Sequence, residues 1–205
     1  AVIADMRNKR RFRDFALHTK LMLIGTVTIN LVAMLVLFAL EYGNPDTLGG
    51  LHGIGTKLWA SWFQAVAPRS SGFTTMDTGM LTPATTFFVM TLMFIGAGSG
   101  STGGGIKLTT FIILLVATRA FLRQQHHPIL FGRSIDANMT LRALAITIMA
   151  LFCVMTGTFL LMLTEHGSFL DLAFEVGSAA STTGLSRGIT PVSYTHLTLP
   201  TTPYV

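Results

Sequence analysis

Charge is what this sequence lacks most. Only 11% of its 205 residues are Asp, Glu, Lys or Arg, while 50% belong to the hydrophobic set. A soluble domain carries roughly 25% charged residues, so a conventional water-soluble globule is excluded. Cysteine is nearly absent as well. Cys153 is the sole example, which rules out an intrachain disulfide framework and a Cys-cluster zinc site. By residue type it is expected to be a buried apolar packing residue. Acidic residues are scarce, 9 against 14 Lys plus Arg, for a formal net charge of +5. The basic excess does not read as a nucleic-acid surface. Arg7, Lys9, Arg10, Arg11, Arg13 and Lys20 crowd the N-terminal region and flank long uncharged stretches, whereas nucleic-acid binding needs basic groups spread over a solvated face. Membrane lipid is the partner this composition implies.

Long apolar runs fill the rest. Leu21–Leu40 is twenty residues without a charge and Ala143–Thr164 is twenty-two, each enough to cross a hydrocarbon core of roughly 30 Å at about 1.5 Å per residue. The first run is too long for a signal peptide and leads into Glu41, Tyr42 and Gly43 rather than a cleavage site. Ala84–Thr118 has one charge, Lys107, and as one helix would reach about 52 Å, too long for a single crossing. The break is written as Gly96, Gly98, Gly100, Gly103, Gly104 and Gly105, with Ser99, Ser101 and Thr102 among them. Non-helical backbone at membrane depth is tolerated where protein covers it or a water-filled cavity solvates it, so this stretch is expected to face a pore. Basic residues set the orientation. The segment holding Arg7 to Lys20 and the linker holding Arg119, Arg123, Arg133 and Arg142 are expected on the cytoplasmic side, with Glu41–Thr82 and the residues after Thr164 outside.

Each outer segment contains an apolar stretch too short to cross, Leu58–Ala67 and Phe169–Ala180, which is how a re-entrant half-helix reads. Each ends in a hydroxyl-rich turn with one glycine: Arg69, Ser70, Ser71, Gly72, Phe73, Thr74 in the first, and Ser181, Thr182, Thr183, Gly184, Leu185, Ser186 in the second. Phe63 and Gln64 precede the first glycine much as Phe174 and Glu175 precede the second, and Thr82–Pro83 and Thr190–Pro191 follow. Proline suits a helix's first turn, so the repeating unit is span, half-helix, glycine turn, span. A half-helix aims its carbonyl end, worth about half a negative charge, at the membrane centre. The turn beyond it can then replace a cation's hydration shell with backbone carbonyls and hydroxyls.

These residues resemble the Trk/Ktr/HKT superfamily of potassium uptake proteins, most closely the membrane subunit of bacterial Ktr and Trk systems, over roughly residues 6–191. Gly98 to Lys107, Gly-Ser-Gly-Ser-Thr-Gly-Gly-Gly-Ile-Lys, resembles the family's intramembrane gate loop in its third repeat. Pro68 to Phe73 is similar to that repeat's filter, and Phe174, Glu175 and Ser181 to Ser186 to the fourth filter. The resemblance implies an all-α polytopic membrane fold of pore-loop repeats and K⁺ uptake across a bacterial inner membrane. It implies an ion filter of Ser70, Ser71, Gly72, Phe73, Thr182, Thr183, Gly184 and Leu185. The gate loop would comprise Gly98, Ser99, Gly100, Ser101, Thr102, Gly103, Gly104, Gly105 and Lys107. It implies neither an enzyme nor a covalently bound cofactor, with K⁺ as the transported ion. Its implied partners are a second copy of the full-length subunit and a cytosolic nucleotide-binding regulatory subunit.

On this reading 1–20 is a basic cytoplasmic segment, 21–118 the third repeat, 119–142 a linker and 143–191 an incomplete fourth repeat. The family pore has four repeats, whereas two filters stand here, 112 residues apart, so a C-terminal-half fragment is expected. Residues 192–205, with four Thr, two Pro and no apolar run, are expected to be a non-native tail.

Other readings compete for the same residues. Gly98, Gly100 and Gly103 satisfy the dinucleotide fingerprint by spacing, but the motif should close a strand in a βαβ unit and here interrupts a membrane-length run. Gly96 with Gly100, and Gly100 with Gly104, are small-xxx-small pairs that could serve helix packing alone, giving a scaffold without conduction. A Na⁺-permeable relative is the alternative within transport. Lys107 either snorkels to the cytoplasmic interface or faces the pore. Asp77 is the candidate partner for Arg69 by proximity. Asp171 and Glu175 either draw cations to the outer mouth or are simply solvated. His126 and His127 lack a third ligand, so no transition-metal site is expected. Trp59 and Trp62 are expected to anchor the first half-helix near the outer interface.

Overall fold

The computed structural model describes residues 17–69, 72–96, 98, 103–124, 129–130, 133–134 and 136–188. Among the described residues there are six α-helices: α1 Leu17–Glu41, α2 Ile54–Val66, α3 Pro83–Phe94, α4 Leu108–Leu122, α5 Ala137–Thr164 and α6 Phe169–Ala180. Short 3-10 turns at Ala67–Arg69 and Thr78–Met80 follow α2 and precede α3. A minimal antiparallel hairpin, β1 Ile129–Leu130 with β2 Arg133–Ser134, interrupts the linker between α4 and α5. Its register pairs Ile129 with Ser134 and Leu130 with Arg133. Residues 70, 71, 99–102, 126, 127 and 192–205, on which some of the expectations above fall, lie outside the described residues.

Two helices, α1 with 25 residues and α5 with 28, are long and apolar enough to cross a bilayer. Both start earlier than the uncharged runs, because helix continues through Lys20 and Arg142 at the end where basic side chains reach headgroups. The third crossing is broken, as its glycines required. α3 stops at Phe94 and α4 starts at Leu108. Ile95 and Ile106 pair as a parallel bridge, with the Ile106 amide donating to the Phe94 carbonyl at 2.9 Å. A parallel bridge means the chain leaves the crossing, loops, and rejoins it in the same direction.

The half-helices are as short as expected. α6 coincides with Phe169–Ala180, while α2 starts at Ile54 rather than Leu58. The helix runs through Lys57, the residue before that apolar stretch. The Lys57 ammonium sits 4.7 Å from the Tyr42 ring centroid and donates to the Gly49 carbonyl at 3.4 Å, so its charge is held at the helix start.

Caps fix the starts. Ser168 Oγ accepts from the Asp171 amide at 3.2 Å, and Asp136 Oδ1 accepts from the Asn138 amide at 3.4 Å. α3 has Thr82 as its cap and Pro83 in its first turn.

One core joins the two repeats: Ala33 and Leu37 of α1, Ala65 of α2, Val89, Leu92 and Met93 of α3, with Leu81, Phe174 of α6 and Leu185. α5 by contrast turns apolar side chains outward, with Met149 and Phe152 about 70% exposed, a face suited to hydrocarbon or neighbouring protein but not to water. Cys153 lies on this helix and is exposed, correcting the expectation that it is buried. It lines an apolar cavity of about 520 Å³ between α3, α5 and α6.

Candidate functional site

The two glycine turns, more than a hundred residues apart in sequence, meet in space. Gly72 has φ +63°, and a Cβ added there would stand 2.2 Å from the Thr183 carbonyl oxygen. Only glycine allows both the angle and the approach. The Thr183 hydroxyl donates across the same junction to the Pro68 carbonyl at 2.9 Å. Thr182, at φ +55°, holds a conformation that side chains resist. Its amide donates to the Ala179 carbonyl at 3.0 Å, and its Oγ1 accepts from the Gly104 amide at 2.7 Å. Thus of the eight sequence-predicted filter residues, Gly72, Thr182 and Thr183 lie at one junction, Leu185 packs in the core, and Gly184 sits at φ +84°. Phe73 is 72% exposed, and Ser70 and Ser71 lie outside the described residues. α2 and α6 both end at this junction, so both bring the partial negative charge of a helix C-terminus to it.

Matching side chains brace each turn from behind. Gln64 Oε1 accepts from the Thr74 hydroxyl at 3.2 Å, and Glu175 Oε1 accepts from the Ser186 hydroxyl at 2.6 Å and the Arg187 amide at 2.8 Å. Gln64 with Thr74 and Glu175 with Ser186 occupy corresponding places in the internal repeat, so the repeat extends to hydrogen bonding. Glu175 is therefore held by its own turn rather than merely solvated. Asp171 is tied down too, its Oδ1 taking the Arg187 Nε at 2.6 Å. The Ser168 hydroxyl first, and then Arg187, hold the Asp171 pKa below the ordinary carboxylate value against the opposing effect of burial. Its contribution is present above the ordinary aspartate range and is lost only as pH falls through the lower folded value.

Arg69 does not pair with Asp77. Its Nη1 donates to Asn30 Oδ1 at 2.7 Å and its Nη2 to the Gly96 carbonyl at 3.3 Å, whereas Asp77 caps the Gly79 amide at 2.8 Å. Proximity in sequence misled because Asn30 lies 39 positions away on α1.

The glycine loop touches this junction from its other side. The Gly104 amide donates to the Ser181 carbonyl at 3.0 Å, and a Cβ on Gly104 would lie 2.7 Å from the Ala180 carbonyl oxygen. A Cβ on Gly96 would meet the Gly104 carbonyl oxygen at 2.2 Å. These close approaches are to loop and turn backbone, not across a helix seam, which favours the loop reading over packing alone. Lys107 does not reach freely to an interface, since its Nζ donates to the Gly103 carbonyl at 2.5 Å. Gly98 lies against Met22 of α1. The segment before the glycines is helix α3, not a strand, so the dinucleotide fingerprint lacks its context.

Arg187 is the residue that sequence reasoning missed. The signal was a cation three positions past the filter glycine, with two carboxylates on the half-helix before it.

Comparison with known proteins gives the family. The family model described as TrkH, cation transport protein, matches residues 6–201. Ktr system potassium uptake protein B of Bacillus subtilis (strain 168) is 51% identical over 190 residues, covering 93% of this chain and 42% of that protein. The protein of the same name from Vibrio alginolyticus is 41% identical over 191 residues, covering 92% and 42%. Potassium/sodium uptake protein NtpJ of Enterococcus hirae is 34% identical over 192 residues, covering 91% and 42%. The chain thus spans about two fifths of the length of these relatives. Among solved structures, the potassium transporter TrkH of Vibrio parahaemolyticus superposes with a TM-score of 0.55 at 18% identity, over 86% of this chain and 44% of that one. That likeness shows the fold, an all-α polytopic membrane fold. With the family model covering nearly the whole sequence, the chain belongs to the TrkH family of cation transport proteins.

Proposed function

We propose that the protein containing this segment takes up K⁺ across the bacterial inner membrane, with residues 70–73 and 182–185 supplying two turns of its filter. The observation that supports this best is the meeting of the two turns, where the Gly72 backbone closes on the Thr183 carbonyl. Carbonyls and hydroxyls, with no carboxylate in either turn, hold an ion moderately enough to release it. Residues 98–105 with Lys107 form the gate, supported by the Gly104 amide's hydrogen bonds to Ser181 and Thr182. No group reacts in this scheme; K⁺ is cargo.

The repeats are 21–118 and 143–191, joined by the linker 119–142. That the Bacillus subtilis relative is part of a Ktr system fits assembly with further subunits, for which a second full-length copy and a cytosolic nucleotide-binding ring are proposed.

The test is Gly72→Asp in the full-length protein, with Rb⁺ uptake measured at matched membrane levels. The expected result is normal insertion with uptake lowered at least about a hundredfold, because a side chain and a charge enter a backbone contact. Uptake equal to that of the unsubstituted protein would reject residue 72 as part of the filter, and absence of Rb⁺ uptake above background in both proteins would leave the helix-association scaffold. The potassium/sodium name of the NtpJ relative keeps a Na⁺-permeable pore as the second reading, and competition of Rb⁺ uptake by Na⁺ in the same assay separates the two.

A further inference from the structure

We infer that Arg187 fixes the spacing between the two filter turns and thereby the ion preference of the pore, an inference that rests on the transport reading above. Its guanidinium makes four hydrogen bonds across two repeats. Nε donates to Asp171 Oδ1 at 2.6 Å, Nη1 to the Thr78 carbonyl at 2.7 Å and Thr86 Oγ1 at 2.6 Å, and Nη2 to the Gly79 carbonyl at 3.2 Å. Asp171 belongs to the half-helix of its own repeat. Thr78 and Gly79 lie on the outer turn beyond the other filter, and Thr86 is on α3. The Thr78 hydroxyl also donates to the Ser186 carbonyl, closing the junction next to Arg187.

This is not a solvated cation at a mouth. The side chain is 11% exposed, its Cζ stands 6.0 Å from the Phe174 ring centroid, and its charge is matched by Asp171. Arg187 lies three residues beyond Gly184, so a change in its anchorage moves the turn directly. A ring of oxygens discriminates among dehydrated ions through the number and spacing of its dipoles, and a clamp between two of its quarters sets that spacing. A planar fork satisfies acceptors in fixed directions, whereas a lysine ammonium on the same stem acts as a single point charge.

The test uses the full-length protein in proteoliposomes, reading Rb⁺ uptake and its competition by Na⁺ at matched protein content. Arg187→Gln is expected to raise the KM for Rb⁺ and weaken the preference over Na⁺ by about tenfold each, as loss of charge-assisted hydrogen bonds implies. Arg187→Lys is expected to recover little of either. Thr86→Val, which removes no charge and takes away one acceptor of Arg187 together with the hydroxyl's bond to the Thr82 carbonyl one turn back in its own helix, is expected to shift both the same way by about threefold.

Values equal to those of the unsubstituted protein in Arg187→Gln would overturn the inference. So would full recovery by lysine, which would assign the effect to charge, or a fall in Vmax that tracks protein level with KM and preference unchanged. If Arg187→Gln does not insert, Thr86→Val decides, and unchanged KM and preference there reject the clamp. An unsubstituted protein without Rb⁺ flux would remove the transport reading and this inference with it.

Discussion

At the residue scale, the arrangement depends on backbone that side chains cannot occupy. Gly72 and Gly184 share positive φ, +63° and +84°, but differ in their surroundings. A Cβ at Gly72 meets the Thr183 carbonyl oxygen at 2.2 Å, while at Gly184 nothing lies within 4 Å. Alanine at either site incurs the left-handed penalty, about 1–2 kcal/mol; at Gly72 it must also push the second turn away. Gly72→Ala in the full-length protein is therefore expected to lower Rb⁺ uptake at least about tenfold more than Gly184→Ala at equal membrane level. Equal losses would show that backbone angle alone matters and that the turns do not depend on each other. Both glycines stood out in the sequence because each sits alone in a hydroxyl-rich turn. Their contact did not, because no local pattern records a meeting between residues 72 and 183. The same limit hid the Asn30 partner of Arg69 and the acceptors of Arg187, most of which lie far along the chain.

At the scale of elements, one buried carboxylate ties the first crossing to the start of the broken one. Glu41 ends α1, and its Oε1 accepts from the Thr82 amide at 3.0 Å and the Thr82 hydroxyl at 2.9 Å. Its Oε2 accepts from Asn44 Nδ2 at 2.7 Å and the Thr47 hydroxyl at 2.5 Å. All four partners donate, so an acceptor-only group is required. Glu41→Gln would turn an amide N–H₂ toward donors and strand them. The expected cost is about 1–3 kcal/mol, seen as a lower midpoint in thermal unfolding of the detergent-solubilised full-length protein. An unchanged midpoint would mean the network relaxes around the amide. Elements were the most legible level. α6 falls on its apolar run, the Thr-Pro pair starts α3, and the glycine stretch breaks the crossing. The early starts of α1, α2 and α5 were not legible, because the helices run on through Lys20, Lys57 and Arg142, charged residues that end the uncharged runs. The hairpin in the linker carried no alternation long enough to read.

At the scale of the whole molecule, residues from α1, α2, α3 and α6 share one apolar core, and the two glycine turns proposed as filter abut at its edge with Gly104 against them. Composition made the membrane legible, and repetition of the short helix and glycine turn singled out the two turns that meet. Exposed faces were less so. Cys153 was expected inside because free cysteine is usually buried, yet α5 directs it outward beside Val154 into the apolar cavity. In a membrane protein an outward apolar side chain meets hydrocarbon or another helix at no cost in exposed area, so residue type alone does not sort inside from outside.

The central claim is that the turns at 70–73 and 182–185 face one ion, and the most direct measurement is anomalous diffraction from crystals of the full-length protein grown in Rb⁺. The expected result is an anomalous peak flanked by backbone oxygens of both turns and lost when Gly72 is replaced by Asp. Rb⁺ density confined to sites away from both turns, in a protein that still transports it, would contradict the claim.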